Sequence, residues 1–573
     1  MRNYIAPLKD MKFVLKDLLN VEQKYQGYAK FADKVSMDIM EQYLEVAADF
    51  CQNELLPINA TGDQQGCRLQ DGVVTTPDGF KAAYDKYVEL GFTSLTGDEA
   101  YGGQGFPTLY RIAISEIITA TNWSWGMYPG LSHGAMRTLE HHGSDEQKQK
   151  FLVPLIAGRW TGTMCLTESH AGSDLGLIRT KAVPNEDGSY SISGEKIFIS
   201  AGEHDLAENI VHIVLARLPD APAGTKGISL FIVPKYNLDE AGNVASRNGV
   251  VCSALEHKMG IHGNATCVLN FDNAKGFLIG PENRGLNCMF TFMNSARIGT
   301  AIQGLAAAES SYQGALAYAQ DRLAMRSLEG AKAPGQPADP IIVHPAVRNM
   351  LLTQKVFAEG SRALAYYLAT YADIAEATDS PEEKKAAEDR LALLTPIAKA
   401  LMTETGIEAA KHGMQIFGGH GYIAEHGMEQ IARDARIASL YEGTTEIQSI
   451  DLLARKVLGS KLGLLTALTD EIQGFVKEHQ QHVQFSQQVA QVSQLTEQWL
   501  KLTRTIQEQA QQSANEIGAA SVDYLYFSGY VVSAYLWLKM AITAQQKIEE
   551  GHTDPFYAAK IKTAQFFFAR ILP

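Results

Sequence analysis

The stretch Leu440-Tyr441-Glu442-Gly443-Thr444-Thr445-Glu446-Ile447-Gln448 separates two helical patterns. Apolar residues recur at helical spacing on both sides of it, at Met428, Ile431, Ala435, Ala438, Ile447, Ile450, Leu453 and Val457. Thr445 and Gln448 have the spacing of a capping box, which predicts that the second helix begins here. Glu442 is therefore predicted to lie at a break between two helices, beside the permissive backbone of Gly443.

Two interpretations of Glu442 follow from this position. In a cleft that excludes water, the pKa of a carboxylic acid rises, and the carboxylate becomes a usable base near neutral pH. In solvent, the same glutamate would only favour the start of the helix, where acidic residues are common. The stretch by itself favours the solvent-exposed glutamate, so other parts of the chain must decide.

The composition predicts a soluble multidomain protein. The chain has 573 residues, which is too many for one hydrophobic core, so three or more domains are expected. Its formal net charge of -14 argues against nucleic-acid binding, which needs a basic surface. A phosphorylated cofactor can still bind to local basic residues and helix N-termini.

Cysteine and histidine spacings predict no metal site. The six cysteines form no C-x-x-C pair, and the histidines show no H-E-x-x-H spacing. Buried thiols in a reducing cytoplasm are the simplest explanation. The N-terminus lacks the pattern of a signal peptide, and no uninterrupted apolar run predicts a membrane span.

Hydrophobic periodicity predicts five regions. Residues 1–35 form an N-terminal helical extension with one amphipathic helix, and residues 36–160 form an N-terminal α domain. From residue 161 the period changes toward two, so residues 161–280 form a middle β domain, with strands expected over 190–193, 196–200, 210–215, 228–233, 250–252 and 267–271. Residues 281–458, which include Glu442, return to long helices, and residues 459–573 form an additional helical domain.

These regions predict an α+β multidomain fold: an N-terminal helical domain, a central small β barrel or sandwich, a C-terminal helical bundle and an extra C-terminal helical domain. The apolar segment 519–544 is interpreted as a buried helix of a small bundle in preference to a membrane contact. No G-x-G-x-x-G follows a strand, so any flavin nucleotide is not expected in a Rossmann fold.

Three separated stretches resemble the acyl-CoA dehydrogenase family. Tyr441 to Gln448, preceded by Gln415-Ile416-Phe417-Gly418-Gly419-His420-Gly421-Tyr422, resembles the C-terminal signature of that family. Met164 to Asp174 resembles its flavin-binding signature, and the residues around Arg322 lie between them in the family's order. The resemblance covers residues from about 40 to about 457, and the length is typical of a bacterial subgroup that includes fatty acyl-CoA and 3-methylmercaptopropionyl-CoA dehydrogenases.

The resemblance implies that FAD is the cofactor. It assigns the isoalloxazine ring to two segments, with the cofactor-binding residues Met164, Leu166, Thr167, Ser173, Phe198 and Ser200. Hydroxyl and amide donors suit this ring because they stabilise negative charge at its N1–C2=O edge. The family often has an aromatic residue in place of Met164, Trp in place of Phe198 and Thr in place of Ser200.

The resemblance also assigns the phosphate end of FAD. Arg322 matches a pyrophosphate-binding arginine, whose guanidinium can chelate phosphate oxygens as a fork. Gln415, Gly418 and Gly419 match a segment that reaches the FAD of a neighbouring subunit. Thr444 and Glu446 match positions near the adenosine-diphosphate end, with Glu446 in place of a more usual Gln.

For the substrate, the resemblance places Ser173, Asn294, Arg297 and Gly443 beside the acyl-CoA thioester. Some family members carry their catalytic glutamate at the position of Ala296. Since alanine cannot act as a base, Glu442 remains the candidate catalytic residue.

The implied reaction is α,β-dehydrogenation of an acyl-CoA to a trans-2-enoyl-CoA, the first step of fatty acid β-oxidation. The expected partners are an acyl-CoA substrate, with a preference for straight chains, and an electron-transferring flavoprotein as acceptor; a homodimer or dimer of dimers in the cytoplasm is expected. A 3-methylmercaptopropionyl-CoA dehydrogenase, an acyl-CoA oxidase and a non-enzymatic flavin or acyl-CoA binding protein are the alternatives.

Overall fold

The computed structural model describes residues 4–573, which divide into two compact units. The terminal unit comprises the described residues up to Glu45 together with Thr300–Pro573, and the central unit comprises Val46–Gly299. Each unit is described by itself below.

The N-terminal segment of the terminal unit is not one helix. It contains α1 (Leu8–Lys12), a π-helical continuation over Phe13–Leu18, and α2 (Val21–Gln26). Asn20 precedes α2 with a φ of 47°, in the left-handed region, and this residue ends the predicted amphipathic helix. The amphipathic pattern rests on Met11, Val14, Leu15, Leu18 and Leu19 at helical spacing. Of these residues, Leu18 is half-buried and the other four are buried.

Helices and one hairpin precede the main sheet. They are α3 (Met37–Phe50), α4 (Asn59–Gln65), the strands β1 (Arg68–Gln70) and β2 (Val73–Thr75), α5 (Phe80–Glu89), α6 (Thr108–Thr121), α7 (Trp123–His142), α8 (Asp145–Gln147) and α9 (Val153–Ile156). The side chain of Asn122 begins α7 by accepting a hydrogen bond from the Trp125 N–H at 3.1 Å. Trp125 is fully buried, so the aromatic stretch around it packs in the core of the central unit.

The β domain contains β3 (Trp160–Cys165), β4 (Lys181–Pro184), β5 (Tyr190–Ser200), β6 (Asn209–Arg217), β7 (Ile228–Pro234), β8 (Tyr236–Leu238), β9 (Val244–Arg247), β10 (Val250–Leu255) and β11 (Thr266–Ile279). Seven strands form one sheet in the order β10-β11-β5-β4-β6-β3, with β7 paired to both β11 and β6. A central β domain is thus confirmed. The finer prediction of a barrel or sandwich is not confirmed, although the pairings of β11, β5, β4, β6 and β7 form a closed ring.

The strand predictions were partly wrong. The segments 190–193 and 196–200 belong to one strand, β5, and the strands β3, β4, β8 and β9 were missed. The alternation that identifies a half-exposed strand is absent from β3, since five of its six residues are buried. A strand buried on both faces resembles a short buried helix in sequence.

Long helices, and then shorter ones, follow the sheet. They are α10 (Gly285–Asp321), α11 (Pro345–Ala377), α12 (Pro381–Phe417), α13 (Met428–Arg436) and α14 (Thr445–Ile450). Gly304 of α10 meets Gly406 of α12 so closely that a Cβ on Gly406 would lie 2.4 Å from the Gly304 oxygen. Glycine therefore sets the close approach of these two helices in the terminal unit.

The C-terminal region continues with a π-helical segment, Asp451–Leu458, and then α15 (Gly463–His479), α16 (Ser486–Ala510), α17 (Asn515–Glu549) and α18 (Pro555–Phe566). The helix α17 is long and apolar enough to cross a membrane, but 72% of its most apolar window is buried inside the protein. It is therefore the core helix of this bundle.

Within the terminal unit, a buried charged cluster joins the N-terminal segment to α11 and α18. Asp10 accepts hydrogen bonds from Arg362 of α11 and from Lys560 of α18, and Lys560 also donates to Glu359 at 2.5 Å. All four residues are buried. Charges removed from water are tolerated only when they are paired, so these contacts fix the position of α1 and α18 on α11.

Candidate active site

Glu442 lies between α13 and α14, as the sequence predicted. A short 3-10 turn, Ile437–Ser439, follows α13, and α14 begins at Thr445. Glu442 is half-buried and has a φ of 56°, and Gly443 has a φ of 87°. A left-handed backbone is costly for a residue with a Cβ and is concentrated at functional sites in proteins.

Two buried side chains hold the backbone on the C-terminal side of Glu442. Lys399 of α12 donates from Nζ to the Gly443 oxygen at 2.6 Å. Gln448 of α14 donates from Nε2 to the Glu442 oxygen at 2.9 Å and to the Gly443 oxygen at 3.4 Å. Both side chains are fully buried, and no local sequence pattern indicated either contact.

The predicted capping box is wrong by one residue. The cap of α14 is Thr444, whose hydroxyl accepts from the Ile447 N–H at 3.3 Å. Thr445 instead donates to Glu404 of α12 at 2.6 Å, and Gln448 turns back to the Glu442–Gly443 segment. Glu446 is exposed, and the Thr444 hydroxyl, as the largest contribution, lowers the pKa of its carboxyl group.

In the central unit, the segment resembling a flavin signature leaves the end of β3. Met164 and Thr167 are half-buried, Leu166 is buried, and Ser173 is exposed on the following turn. Glu168 and Ala171 close this turn through reciprocal backbone hydrogen bonds of 2.9 and 3.0 Å. The Ile197 N–H donates to the Thr167 oxygen at 2.9 Å, which brings the two predicted ring-binding segments side by side.

A buried ion pair supports this turn and was not predicted. Lys196 of β5 donates to Glu168 at 3.0 Å and to the Leu166 oxygen at 2.9 Å. Glu168 also accepts from Thr180 and Arg179. Burial acts to raise the pKa of Glu168, but Lys196 and these donors have the larger combined effect and lower this pKa. For Lys196, burial has the larger effect and lowers the pKa, although Glu168 acts to raise it.

Phe198 and Ser200 lie at the end of β5. Phe198 is 59% exposed and has a φ of 59°, so a bulky aromatic residue occupies a strained backbone conformation in contact with solvent. Ser200 is half-buried. An exposed aromatic face beside hydroxyl and amide groups is an arrangement that fits a planar, electron-poor ring.

Asn294 and Arg297 both lie on the part of α10 that belongs to the central unit. Asn294 is exposed, Arg297 is buried, and Ala296 is half-buried. Alanine at position 296 leaves no carboxylate there, and Glu442 as the base stays a prediction.

Arg322 follows the last turn of α10 in the terminal unit. Its side chain is exposed, and its backbone oxygen accepts from the Ile341 N–H at 2.8 Å. The loop between these residues is organised around Asp339, which is buried and accepts from the N–H groups of Ser327, Lys332 and Ala333 at 2.7–2.9 Å. These donors, with Ser327 contributing most, hold the pKa of Asp339 well below its usual range.

Gln415, Gly418 and Gly419 are exposed at the end of α12. Gly418 ends this helix with a φ of 60°. Tyr318 stacks on Phe417 with ring centroids 4.0 Å apart, and its hydroxyl lies 2.8 Å from Nδ1 of His420. The terminal unit thus presents this glycine-rich segment on a rigid aromatic support.

Family models match nearly the whole chain. The matches are to the acyl-CoA dehydrogenase N-terminal domain over residues 38–159, the middle domain over 163–274 and the C-terminal domain over 283–458. A fourth model, described as acetyl-CoA dehydrogenase C-terminal like, matches residues 468–573.

Relatives that match over nearly their full length indicate the same family as the family models. The chain is 41% identical to the 3-methylmercaptopropionyl-CoA dehydrogenase of Ruegeria pomeroyi, over 99% of this chain and 96% of that protein. It is 35% identical to the broad-specificity linear acyl-CoA dehydrogenase FadE5 of Mycobacterium tuberculosis, over 100% and 96%. The structure of Caenorhabditis elegans ACDH-11 in complex with C11-CoA superposes with a TM-score of 0.81 at 21% identity, over 99% of this chain and 91% of that chain, and so supports the fold.

The chain belongs to the acyl-CoA dehydrogenase family. Enzymes of this family depend on FAD. The family model that contains Glu442 also contains Arg322, Gln415 and Lys399.

Proposed function

We propose that this protein catalyses the FAD-dependent α,β-dehydrogenation of acyl-CoA thioesters to trans-2-enoyl-CoA, with Glu442 as the base. The observation that carries the assignment is the conformation of Glu442. This half-buried glutamate is held at a left-handed φ of 56° by donors on two neighbouring helices, within the stretch that matches the family signature. A glutamate that served only to start a helix would need neither the strain nor the buried donors.

Glu442 takes the pro-R α-proton of the thioester. This proton is too weakly acidic for a carboxylate unless the enolate is stabilised as it forms. The resemblance assigns one of the hydrogen bonds to the thioester oxygen to the backbone N–H of Glu442 itself. Fixing the backbone at this residue therefore places both the base and a donor for the developing charge.

The residues of the central unit fit a flavin ring. Phe198 offers an exposed aromatic face, and Thr167 and Ser200 offer hydroxyls on segments that the Ile197–Thr167 hydrogen bond holds together. Met164, Leu166 and Ser173 complete the set that would hold the ring. When bound, FAD supplies the acceptor for the hydride that leaves the β-carbon.

The phosphate end of FAD is assigned to exposed residues of the terminal unit. Arg322 supplies a guanidinium that can grip pyrophosphate oxygens, and the Asp339 contacts keep the adjoining loop ordered. The remaining residues proposed for this end of the cofactor are Gln415, Gly418, Gly419, Thr444 and Glu446.

The proposed acyl-CoA contacts are Ser173, Asn294, Arg297 and Gly443. Straight-chain fatty acyl-CoA thioesters are the first substrate class, because relatives along the whole chain include a broad-specificity linear acyl-CoA dehydrogenase. The 41% identity to a 3-methylmercaptopropionyl-CoA dehydrogenase supports the methylthio thioester as the second candidate. Both substrates would use the same base and the same proton abstraction.

An electron-transferring flavoprotein is the proposed electron acceptor, and a cytoplasmic homodimer or dimer of dimers is the proposed assembly. The exposed position of Gln415, Gly418 and Gly419 supports the assembly, since the resemblance assigns these residues to the FAD of a neighbouring subunit. Size-exclusion chromatography with light scattering tests the assembly.

The Glu442→Gln variant tests the base. We expect it to retain bound FAD but to lose acyl-CoA-dependent bleaching of the flavin by about 1,000-fold or more, because a carboxamide cannot accept the proton. Glu478→Gln is the matched control, since Glu478 is an exposed glutamate on α15. Bleaching at the normal rate in Glu442→Gln would refute the assignment of the base.

A substrate series tests the class of thioester. Straight-chain acyl-CoA thioesters of increasing length and the methylthio substrate are mixed anaerobically with the enzyme, and the rate of bleaching is measured for each. Admission of air then separates a dehydrogenase from an oxidase, because an oxidase is rapidly re-oxidised by oxygen. Bleaching by no member of the series would leave only a binding protein on this fold.

A further inference from the structure

We infer that Lys399 and Gln448 are positioning residues that hold Glu442 in its working conformation. This inference rests on the proposed function of Glu442 as the base. Neither residue is assigned to FAD, to the thioester or to the transferred proton. Their role is to fix the carbonyl groups of Glu442 and Gly443, and through them the direction of the Glu442 side chain.

The burial of Lys399 requires an explanation. It lies in the middle of α12 with none of its side chain exposed. An ammonium group is expensive to remove from water, and an apolar side chain of similar length would fill the same space without that cost. Its Nζ donates to the Gly443 oxygen at 2.6 Å, and this short charge-assisted bond ends on the carbonyl group of the residue that directly follows the base.

The burial of the Gln448 side chain also has an energetic cost, and it too indicates a positioning role. Its side chain is fully buried, and its Oε1 has no hydrogen-bond partner among the described residues. The amide instead directs its Nε2 to the Glu442 oxygen at 2.9 Å and to the Gly443 oxygen at 3.4 Å. A buried acceptor is thus left unsatisfied while both donations go to the segment that carries the base.

The two donors explain how Glu442 keeps a left-handed backbone. With both carbonyl groups held by fully buried donors, rotation of Glu442 to an ordinary φ would break these hydrogen bonds and leave the donors buried without these acceptors. Gly443 completes the arrangement, because a Cβ at this position would lie 2.6 Å from Nε2 of Gln448. Lys399 of α12 and Gln448 of α14 therefore together hold the backbone at the base in a fixed conformation.

The experiment compares the full-length FAD-loaded enzyme with Lys399→Met, Gln448→Met and the double variant. The readouts are the rate of anaerobic flavin bleaching at saturating acyl-CoA, the KM, the isotope effect with α-deuterated substrate, and the FAD content. We expect each single variant to lose about 100-fold in bleaching rate, because small misplacements of a reacting group have effects of this size. KM should change less than threefold, and the isotope effect should rise as proton abstraction becomes the slow step.

Two further comparisons separate positioning from stability. Lys560→Met removes another buried lysine of the same unit that lies in the Asp10 cluster, so it should lower the melting temperature without lowering the bleaching rate. Lys399→Arg keeps a cationic donor and should recover a large part of the lost rate. The double variant should lose less than the product of the two single losses, because both donors act on one turn.

Normal bleaching by both single variants overturns the inference, as does a loss in Lys399→Met no larger than that in Lys560→Met at equal destabilisation. If Lys399→Met does not fold, the inference is tested with Gln448→Met and Lys399→Arg. A lower bleaching rate with little change in KM in Gln448→Met supports the inference, and a normal bleaching rate in Gln448→Met overturns it. The Glu442→Gln variant distinguishes failure of this inference from failure of the proposed function. If only the positioning role of Lys399 and Gln448 is wrong, Glu442→Gln is inactive; if Glu442 is not the base, Glu442→Gln remains active.

Discussion

Nζ of Lys196 lies 3.0 Å from Oε1 of Glu168, and both side chains are buried under the turn that carries Thr167 and Ser173. This pair joins β5 to the turn that follows β3, in addition to the backbone hydrogen bond from Ile197 to Thr167. Since Lys196 also donates to the Leu166 oxygen, the pair fixes the backbone of the proposed ring-binding segment.

Lys196→Met should destabilise the protein and weaken FAD binding together. Removal of one partner leaves Glu168 buried without its cation, and such changes cost about 3–5 kcal/mol. Urea unfolding of the FAD-free protein and FAD titration measure the two effects. The double change Lys196→Met with Glu168→Gln should recover part of the stability, and no recovery would show that the pair is not the source of the loss.

Phe198→Gly should separate stability from cofactor binding. Glycine adopts a φ of 59° without steric cost, so the free energy of unfolding should stay equal or rise by up to about 1 kcal/mol. The affinity for FAD should fall about tenfold, because the stacking face is lost. Phe198→Trp serves as the control and should retain FAD. A Phe198→Gly protein with normal FAD affinity would remove Phe198 from the site.

Asp339→Asn should loosen the loop that follows Arg322. A neutral amide accepts the N–H groups of Ser327, Lys332 and Ala333 less strongly than a carboxylate does. Hydrogen exchange over residues 323–340 should become faster, and the affinity for FAD should fall toward that of Arg322→Ala. Unchanged exchange in this loop would contradict the role given to Asp339.

Acid should release the N-terminal segment. Burial acts to raise the pKa of Asp10, but Lys560 and Arg362 outweigh it and lower the pKa from 3.8 to about 2. As the pH is lowered, Asp10 binds a proton at a higher pH in the unfolded state than in the folded state. The contribution of Asp10 to the free energy of unfolding is therefore complete above about pH 4 and is lost as the pH falls toward 2. It amounts to about 2 kcal/mol.

Unfolding curves of wild type and Asp10→Asn between pH 6 and about 2 test this assignment. The variant should be less stable at neutral pH, and its stability should depend less on pH over the acid range. Parallel curves for the two proteins would show that Asp10 does not carry the effect.

The sequence predicted the helix break at Glu442 because apolar residues at helical spacing stop before it and resume after it. It also predicted most of the buried positions of the N-terminal segment, although Leu18 is half-buried and Asn20 interrupts the helix there. Periodicity failed for β3, because a strand buried on both faces has no alternating pattern. The roles given to individual FAD and thioester residues stay predictions.

The sequence by itself identified the family and the break between two helices at Glu442, because these depend on residues close together along the chain. Only the tertiary structure revealed Lys399 beneath Gly443, Lys196 beside Glu168 and Asp10 against Lys560. These partners are separated by 44, 28 and 550 positions in the chain. A buried charge leaves no local pattern, since its partner is chosen by packing in space rather than by spacing in sequence.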